Sequence, residues 1–119
     1  IHAGNEIVIR IVEYSADVEG SGGFVDTVVH GVDSSGELVF PSVLEEEFDG
    51  DVPVVVFPVF TVAHDFEHVE FIQSEIDFDG TGTENGCQFA ALRTHQISDT
   101  VRAEADSTIE WSKDPVLPV

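Results

Sequence analysis

Apolar residues recur at every second position in this chain, and this period constrains the fold more than any other feature of the sequence. Ile7, Ile9 and Ile11 share one face of a first predicted strand, which runs from Glu6 to about Tyr14, because successive side chains of a β-strand point to opposite faces. No segment longer than about ten residues shows the 3.6-residue period of an amphipathic helix. The chain is therefore predicted to be all-β.

Turn residues divide the remainder of the chain into short strands. Strands are predicted over Phe24–Val32, Glu37–Val43, Val69–Phe78, Cys87–His95, Val101–Ala105 and Thr108–Lys113, with a turn at 33–36, an acidic loop at 44–51 and a glycine-rich turn at 79–86. Short strands with frequent turns are typical of sandwiches. We expect a single-domain β-sandwich of about eight strands, jelly-roll or immunoglobulin-like, spanning residues 1–119 with residues 1–5 and 114–119 as extended termini.

The most apolar run of the chain is Val52–Phe60, which contains Pro53 and Pro58. Proline cannot donate a backbone hydrogen bond to a neighbouring strand, so it is confined to edge strands and bulges. This run is therefore predicted to be an edge strand or a bulged one.

Charge sets the environment in which this chain can work. It carries 24 acidic and four basic residues, a formal net charge of −20, and between Ile11 and Leu92 it has no Lys or Arg. Such self-repulsion is relieved by salt, and we interpret the chain as halophilic. A basic patch for phosphates is missing, which disfavours nucleic acid and anionic membranes as partners. No run of about 20 apolar residues is present, so no membrane span is predicted.

Cysteine content and the start of the chain bear on location. A single Cys excludes an intramolecular disulfide. The chain begins at Ile1 and has no Met, as it would after removal of a signal peptide, a pro-segment or a tag. We expect an extracellular or virion-surface location in a high-salt environment.

The segment from His64 to His68 matches the pattern H-x-x-E-H of inverted zinc peptidases. On a helix, His64 and His68 would share a zinc ion, and Glu67 would be the general base. The flanking residues favour a strand instead, on which the two histidines share a face and form a cupin-like metal site. Two surface or interface histidines without a metal are the third interpretation.

A second candidate metal site is the turn that contains Asp77, Asp79 and Glu84. Alternating carboxylates on a glycine-rich turn can wrap Ca²⁺ or another divalent cation. The match to an EF-hand loop is incomplete, and a solvated acidic turn is the alternative. The same two interpretations apply to the acidic segment around Glu45.

Two segments are apolar on both faces and predict contact between subunits. They are the first strand and the run Val52–Phe60, and the interface residues predicted from them are Ile7, Ile9, Ile11, Val54, Val56 and Phe57. A bare apolar edge tends to pair with another chain. The alternative is that both segments are central strands of one sandwich.

These observations predict a structural or assembly subunit rather than an enzyme. It would form a homo-oligomer or bind other structural proteins, as a haloarchaeal virus surface or decoration protein or an extracellular filament subunit. No cofactor is required, although Ca²⁺ or another divalent cation would help by neutralising carboxylates. The competing prediction is a small cupin-like metal-binding enzyme that uses His64 and His68. A ligand-binding accessory domain is the third class.

Overall fold

Nine β-strands and no helix are found in the residues that the computed structural model describes, 1–16, 22–84 and 87–113, with side chains at 78–84 and 87–93 not described. Two sheets enclose one apolar core, so the prediction of an all-β sandwich is confirmed. The strands are β1 (Glu6–Tyr14), β2 (Gly22–Val32), β3 (Leu38–Asp49), β4 (Val52–Val56), β5 (Phe60–Thr61), β6 (His68–Glu84), β7 (Cys87–Gln96), β8 (Val101–Ala103) and β9 (Ser107–Ser112).

The first sheet is built around β1. Strands β4 and β5 pair with β1 antiparallel, and β9 pairs with it in parallel. Ile11 is opposite both Val55 of β4 and Trp111 of β9, so these two strands lie on opposite sides of β1. The strand is thus central, and the proline-containing β4 lies at an edge of the sheet, as its sequence predicts.

The second sheet has the order β3-β2-β6-β7, and β8 pairs with β6 beside β7. The prediction of an acidic loop at 44–51 was wrong, because β3 stays paired with β2 until Asp49 lies opposite Gly22. Phe48 explains this extension, since its side chain is buried and its ring packs against Tyr14 with centroids 5.1 Å apart. The core thus anchors the far end of a strand whose middle is acidic.

The glycine-rich turn predicted at 79–86 was also wrong in its extent. Strand β6 continues to Glu84, and residues 81–84 pair with 87–90 of β7. An irregularity between Phe78 and Thr81 accommodates Asp79 and Gly80 within the hairpin. Residues 85 and 86, between the strands, are outside the described part of the chain.

The core lies between the inward faces of β1, β2 and β6. Its members include Ile7, Ile9, Ile11, Val25, Val29, Val69 and Phe71. At one side, the ring of Phe66 lies directly on the backbone of Gly31, where an added Cβ would be 2.5 Å from the ring. Only glycine fits beneath this ring, so Phe66 packs against β2 as part of the core surface.

At the N-terminus, residues 1–5 make a turn, in which the Asn5 N–H donates to the His2 carbonyl. The N–H of Gly4 then donates to the carbonyl of Val62. Residues 114–119 lie outside the described residues.

Candidate functional site

Polar side chains occupy the core face of β6. Gln73, Glu75 and Asp77 are fully buried because they follow Val69 and Phe71 at a spacing of two, on the strand face that points inward. A buried polar group is costly unless it is hydrogen-bonded, and a buried charge unless it is paired. The partners of these three side chains therefore decide whether this region is stable.

A hydrogen-bonded bridge of neutral side chains joins the two sheets at Gln73. Its Nε2 donates to Thr27 Oγ1 of the neighbouring strand at 3.0 Å, and its Oε1 accepts from Trp111 Nε1 of β9 at 2.6 Å. Because Trp111 belongs to the first sheet and Gln73 to the second, this hydrogen-bonded bridge helps to fix the relative position of the two sheets.

Next to this hydrogen-bonded bridge, an ion pair also connects the two sheets. Lys113, the only lysine of the chain, extends from the end of β9 and donates from Nζ to Glu75 Oε1 at 2.5 Å. The Glu75 side chain is 0% exposed and that of Lys113 is 9% exposed. The ammonium also lies 5.0 Å from the centre of the Tyr14 ring, within the range of a cation–π contact.

Asp77 and His95 complete a group around Glu75. Each of the three residues offers a ligand atom, and these atoms all lie within 4.8 Å of one another. His95 Nε2 is 3.9 Å from Glu75 Oε2, the oxygen other than the one Lys113 contacts. We refer to Glu75, Asp77, His95 and Lys113 as the buried ionic cluster.

The buried ionic cluster can act chemically in two ways. Two carboxylates and an imidazole are a donor set that divalent metal ions accept. However, the Lys113 ammonium already lies on Glu75, so a metal ion would compete with it. The alternative is chemistry between the amine and the carboxyl group, which are in hydrogen-bond contact and shielded from water.

Sequence reasoning missed this cluster, although two signals pointed to it. The alternation from Val69 through Phe71 to Gln73, Glu75 and Asp77 places all five on one face. A lone lysine in a chain of net charge −20 also suggests a specific use. Neither signal identifies His95 on β7 or brings β9 across from the other sheet.

His68 is placed differently from either metal-site prediction. It is buried at the start of β6, where its Nδ1 lies 3.1 Å from an Arg102 nitrogen and its Nε2 lies 3.0 Å from Glu70 Oε1. Arginine only donates, so Nδ1 accepts and Nε2 carries the proton that Glu70 accepts. Both ring nitrogens are therefore engaged, and no lone pair of His68 is directed at a metal ion.

His64 is in a different environment. It is exposed and stacks on the Phe40 ring with centroids 4.7 Å apart. Residues 62–67 form no helix, so His64 and His68 do not meet as they would at i and i+4. In the described part of the chain, the set of three ligating side chains that converges is Glu75, Asp77 and His95.

The acidic residues between these histidines have separate roles. Asp65 accepts from the Ala3 N–H at 2.9 Å, and this hydrogen bond, with the nearby His2, lowers the pKa of the Asp65 carboxyl. Glu67 is exposed, and its backbone N–H donates to the Val32 carbonyl at 2.8 Å. The segment thus fastens the N-terminus to the second sheet.

The predicted cation turn is divided by the fold. Asp77 points into the core and belongs to the buried ionic cluster, whereas the side chains of Asp79 and Glu84 are outside the described part of the chain. On β3, Glu45 lies opposite Asp26 of β2. The hydrogen bond between these carboxyl groups raises the pKa of Glu45.

The predicted interface residues fall into two groups. Ile7, Ile9, Ile11 and Phe57 are buried within the chain's own core. Val54 and Val56 on β4 are 42% and 51% exposed.

Val54 and Val56 are two of six large hydrophobic residues that are exposed among the described side chains. The large hydrophobic residues found exposed in the described chain all lie between positions 38 and 59, and we call them the apolar edge: Leu38, Phe40, Val43, Val54, Val56 and Val59. They lie on β3, on β4 and just after β4. These two edge strands contact each other and are joined through Gly50, whose φ of 73° suits glycine.

Comparisons with protein families, curated proteins and solved structures found no match. Among the described residues, no helical segment has the length and hydrophobicity of a transmembrane span. Function is therefore inferred from the residues of this chain and their geometry.

Proposed function

We propose that the protein is a non-enzymatic structural subunit that assembles with further copies of itself through the apolar edge. The observation that carries this proposal is that, among the described side chains, the exposed large apolar residues lie on or just after two adjoining edge strands. Edge strands are natural sites of association, and apolar side chains exposed on them favour contact with another chain. A haloarchaeal virus particle or an extracellular filament in high salt is the setting that fits.

Acidic residues on the same strand would make this contact dependent on salt. Strand β3 carries Glu45, Glu46, Glu47 and Asp49 beside its apolar residues. At low ionic strength these charges repel a second copy that brings its own acidic strand. The screening length is about 10 Å at 0.1 M salt and about 3 Å at 1 M, so high salt permits the apolar contact.

Two prolines determine what kind of contact the edge allows. Pro41 lies on β3 and Pro53 on β4, and each removes a backbone donor that continuous strand pairing would need. Side-chain packing between copies is therefore favoured over extension of the sheet from one copy into the next. This limits uncontrolled edge-to-edge aggregation.

Light scattering across a salt series tests the proposal. We expect an oligomer at about 1 M salt, and each of Val43→Glu and Val56→Glu should shift it to monomer, because a carboxylate would be buried in the contact. Thr108→Glu, an equal change of charge on the opposite edge strand β9, should leave the oligomer intact. A wild-type protein that is monomeric at every salt concentration would disprove the proposal.

A further inference from the structure

Lys113 and Glu75 are in direct contact across the gap between the two sheets. Nζ lies 2.5 Å from Glu75 Oε1, shorter than the usual distance for such a charge-assisted hydrogen bond. Lys113 follows β9 of the first sheet, and Glu75 lies in β6 of the second. A bond between them would join the sheets covalently, in a chain whose single Cys excludes an intramolecular disulfide.

We propose that Lys113 and Glu75 form an intramolecular amide bond, with His95 relaying the proton. The reaction is a condensation, in which the neutral amine Nζ adds to the Cδ of the protonated Glu75 carboxyl group. One amine proton passes to Oε2, which leaves as water with the carboxyl hydrogen, and the second Nζ proton stays on the amide. An ammonium and a carboxylate are thus converted to an amide and one water, with no oxidant, reductant or other reactant.

Burial favours this reaction. Both side chains are shielded from solvent, and in a low-dielectric interior the cost of desolvating two ions offsets much of their attraction. The amide product is uncharged and carries no such desolvation cost. Holding the groups in contact also replaces a bimolecular encounter, for which effective molarities reach about 10⁵–10⁸ M.

His95 is placed to assist at the oxygen that departs. Its Nε2 is 3.9 Å from Glu75 Oε2, while Lys113 contacts Oε1, so amine and imidazole approach opposite oxygens of one carboxyl group. Asp77, whose carboxylate lies within 4.8 Å of the other ligand atoms of the cluster, supplies a second buried acid–base group. The inference does not depend on the apolar edge or on assembly.

Intact-mass measurement of the denatured wild-type protein tests the proposal without any variant. We expect a mass lower than that of the sequence by one water molecule, and a digest in which the peptide containing Lys113 is joined to the one containing Glu75. The full sequence mass would overturn the proposal, and so would full mass with one bound metal ion per chain in the native protein. A cross-link mapped to another carboxyl group would also overturn it.

Matched variants distinguish this amide bond from other reactions that lower the mass by one water molecule. Lys113→Arg keeps the cation but cannot form the amide, so it should restore the full mass. Succinimide formation at Asp49–Gly50 or Asp79–Gly80 also removes one water molecule, and it would still occur in that variant. A Lys113→Arg protein that still lacks one water molecule would therefore contradict the proposal. His95→Ala should slow formation of the bond after refolding by at least about 100-fold if it acts as the proton relay, and an unchanged rate would remove His95 from the reaction.

Discussion

Single residues in this protein act chiefly at the junction of the two sheets. Lys113 donates to the fully buried Glu75, and Gln73 links Thr27 to Trp111. The interior at this end of the sandwich therefore depends on specific pairs rather than on apolar volume. Substitutions of these residues should cost more than substitutions of equal size on the surface.

Relative to Lys113→Arg, which keeps the cation but cannot form the amide bond, Lys113→Met should destabilise the protein by about 3–5 kcal/mol, because it leaves the Glu75 carboxylate buried without a cation from residue 113. Urea denaturation measures the loss. The double variant Lys113→Met with Glu75→Leu should recover most of it, since replacing both charges with apolar groups removes the desolvation cost. A Lys113→Met variant as stable as Lys113→Arg would mean that the ion pair contributes nothing.

Gly31→Ala should destabilise the protein by about 1–3 kcal/mol, because a new Cβ would overlap the Phe66 ring. In a Phe66→Ala background, the same change should cost much less, since the ring that it meets is gone. The difference between the two costs, measured by thermal or urea unfolding, gives the coupling between the residues. Equal costs in both backgrounds would show that the close approach at Gly31 does not matter.

At the scale of the element, cross-strand neighbours decide how each strand behaves. In β2 and β3, Asp26 and Glu45 face each other, and like charges directly opposite destabilise a sheet. The pKa of Glu45 is raised by its hydrogen bond with Asp26, by desolvation and by the Asp26 charge. A carboxyl group with a raised pKa stabilises the fold below its usual value of 4.5, and this stabilisation is lost as the pH rises through the raised value.

Glu45→Gln should therefore raise the melting temperature at neutral pH, where the wild-type carboxyl groups repel each other. At a pH well below 4.5 the difference should vanish, because Glu45 is then protonated in both the folded and the unfolded state. Glu47→Gln, an equal change on an exposed residue of the same strand, is the control. An equal benefit from both variants would show that general charge reduction, and not the Asp26–Glu45 pair, is responsible.

At the scale of the whole molecule, charge opposes compaction and salt relieves the opposition. Net charge is −20, and residues 41–80 contain acidic residues but no Lys or Arg. Four of these acidic residues lie on β3, the strand that also carries half of the apolar edge. Stability and assembly should therefore respond to salt in the same direction.

Melting temperature should fall as KCl is lowered from about 1 M to about 0.1 M, because the screening length grows from about 3 Å to about 10 Å. Divalent cations should restore it at a much lower concentration, since they neutralise neighbouring carboxylates more effectively. Differential scanning calorimetry of the wild type measures both effects. A melting temperature that does not change across this range would remove the halophilic interpretation.

Local features of this fold could be read from the sequence. Strand β1 has the predicted bounds, and the turn at 33–36 forms because the Asp33 carboxylate accepts from the N–H groups of Ser35 and Glu37. The Ser35 hydroxyl also donates to this carboxylate at 2.6 Å, and this hydrogen bond, followed by the one from the Glu37 N–H, lowers the pKa of Asp33. Both features depend on residues close together in the chain, so short patterns are sufficient to predict them.

The sequence by itself determined an all-β chain with an apolar interior, an acidic surface and one lysine. Only the tertiary structure decided which face of β6 is buried, because Ile72 and Ile76 on one face compete with Val69 and Phe71 on the other. Packing against β1 buries the face that carries Val69 and Phe71, and Gln73, Glu75 and Asp77 are buried with it. Period-two alternation separates two faces but does not choose between them when both are partly apolar, and that choice brings Lys113 onto Glu75.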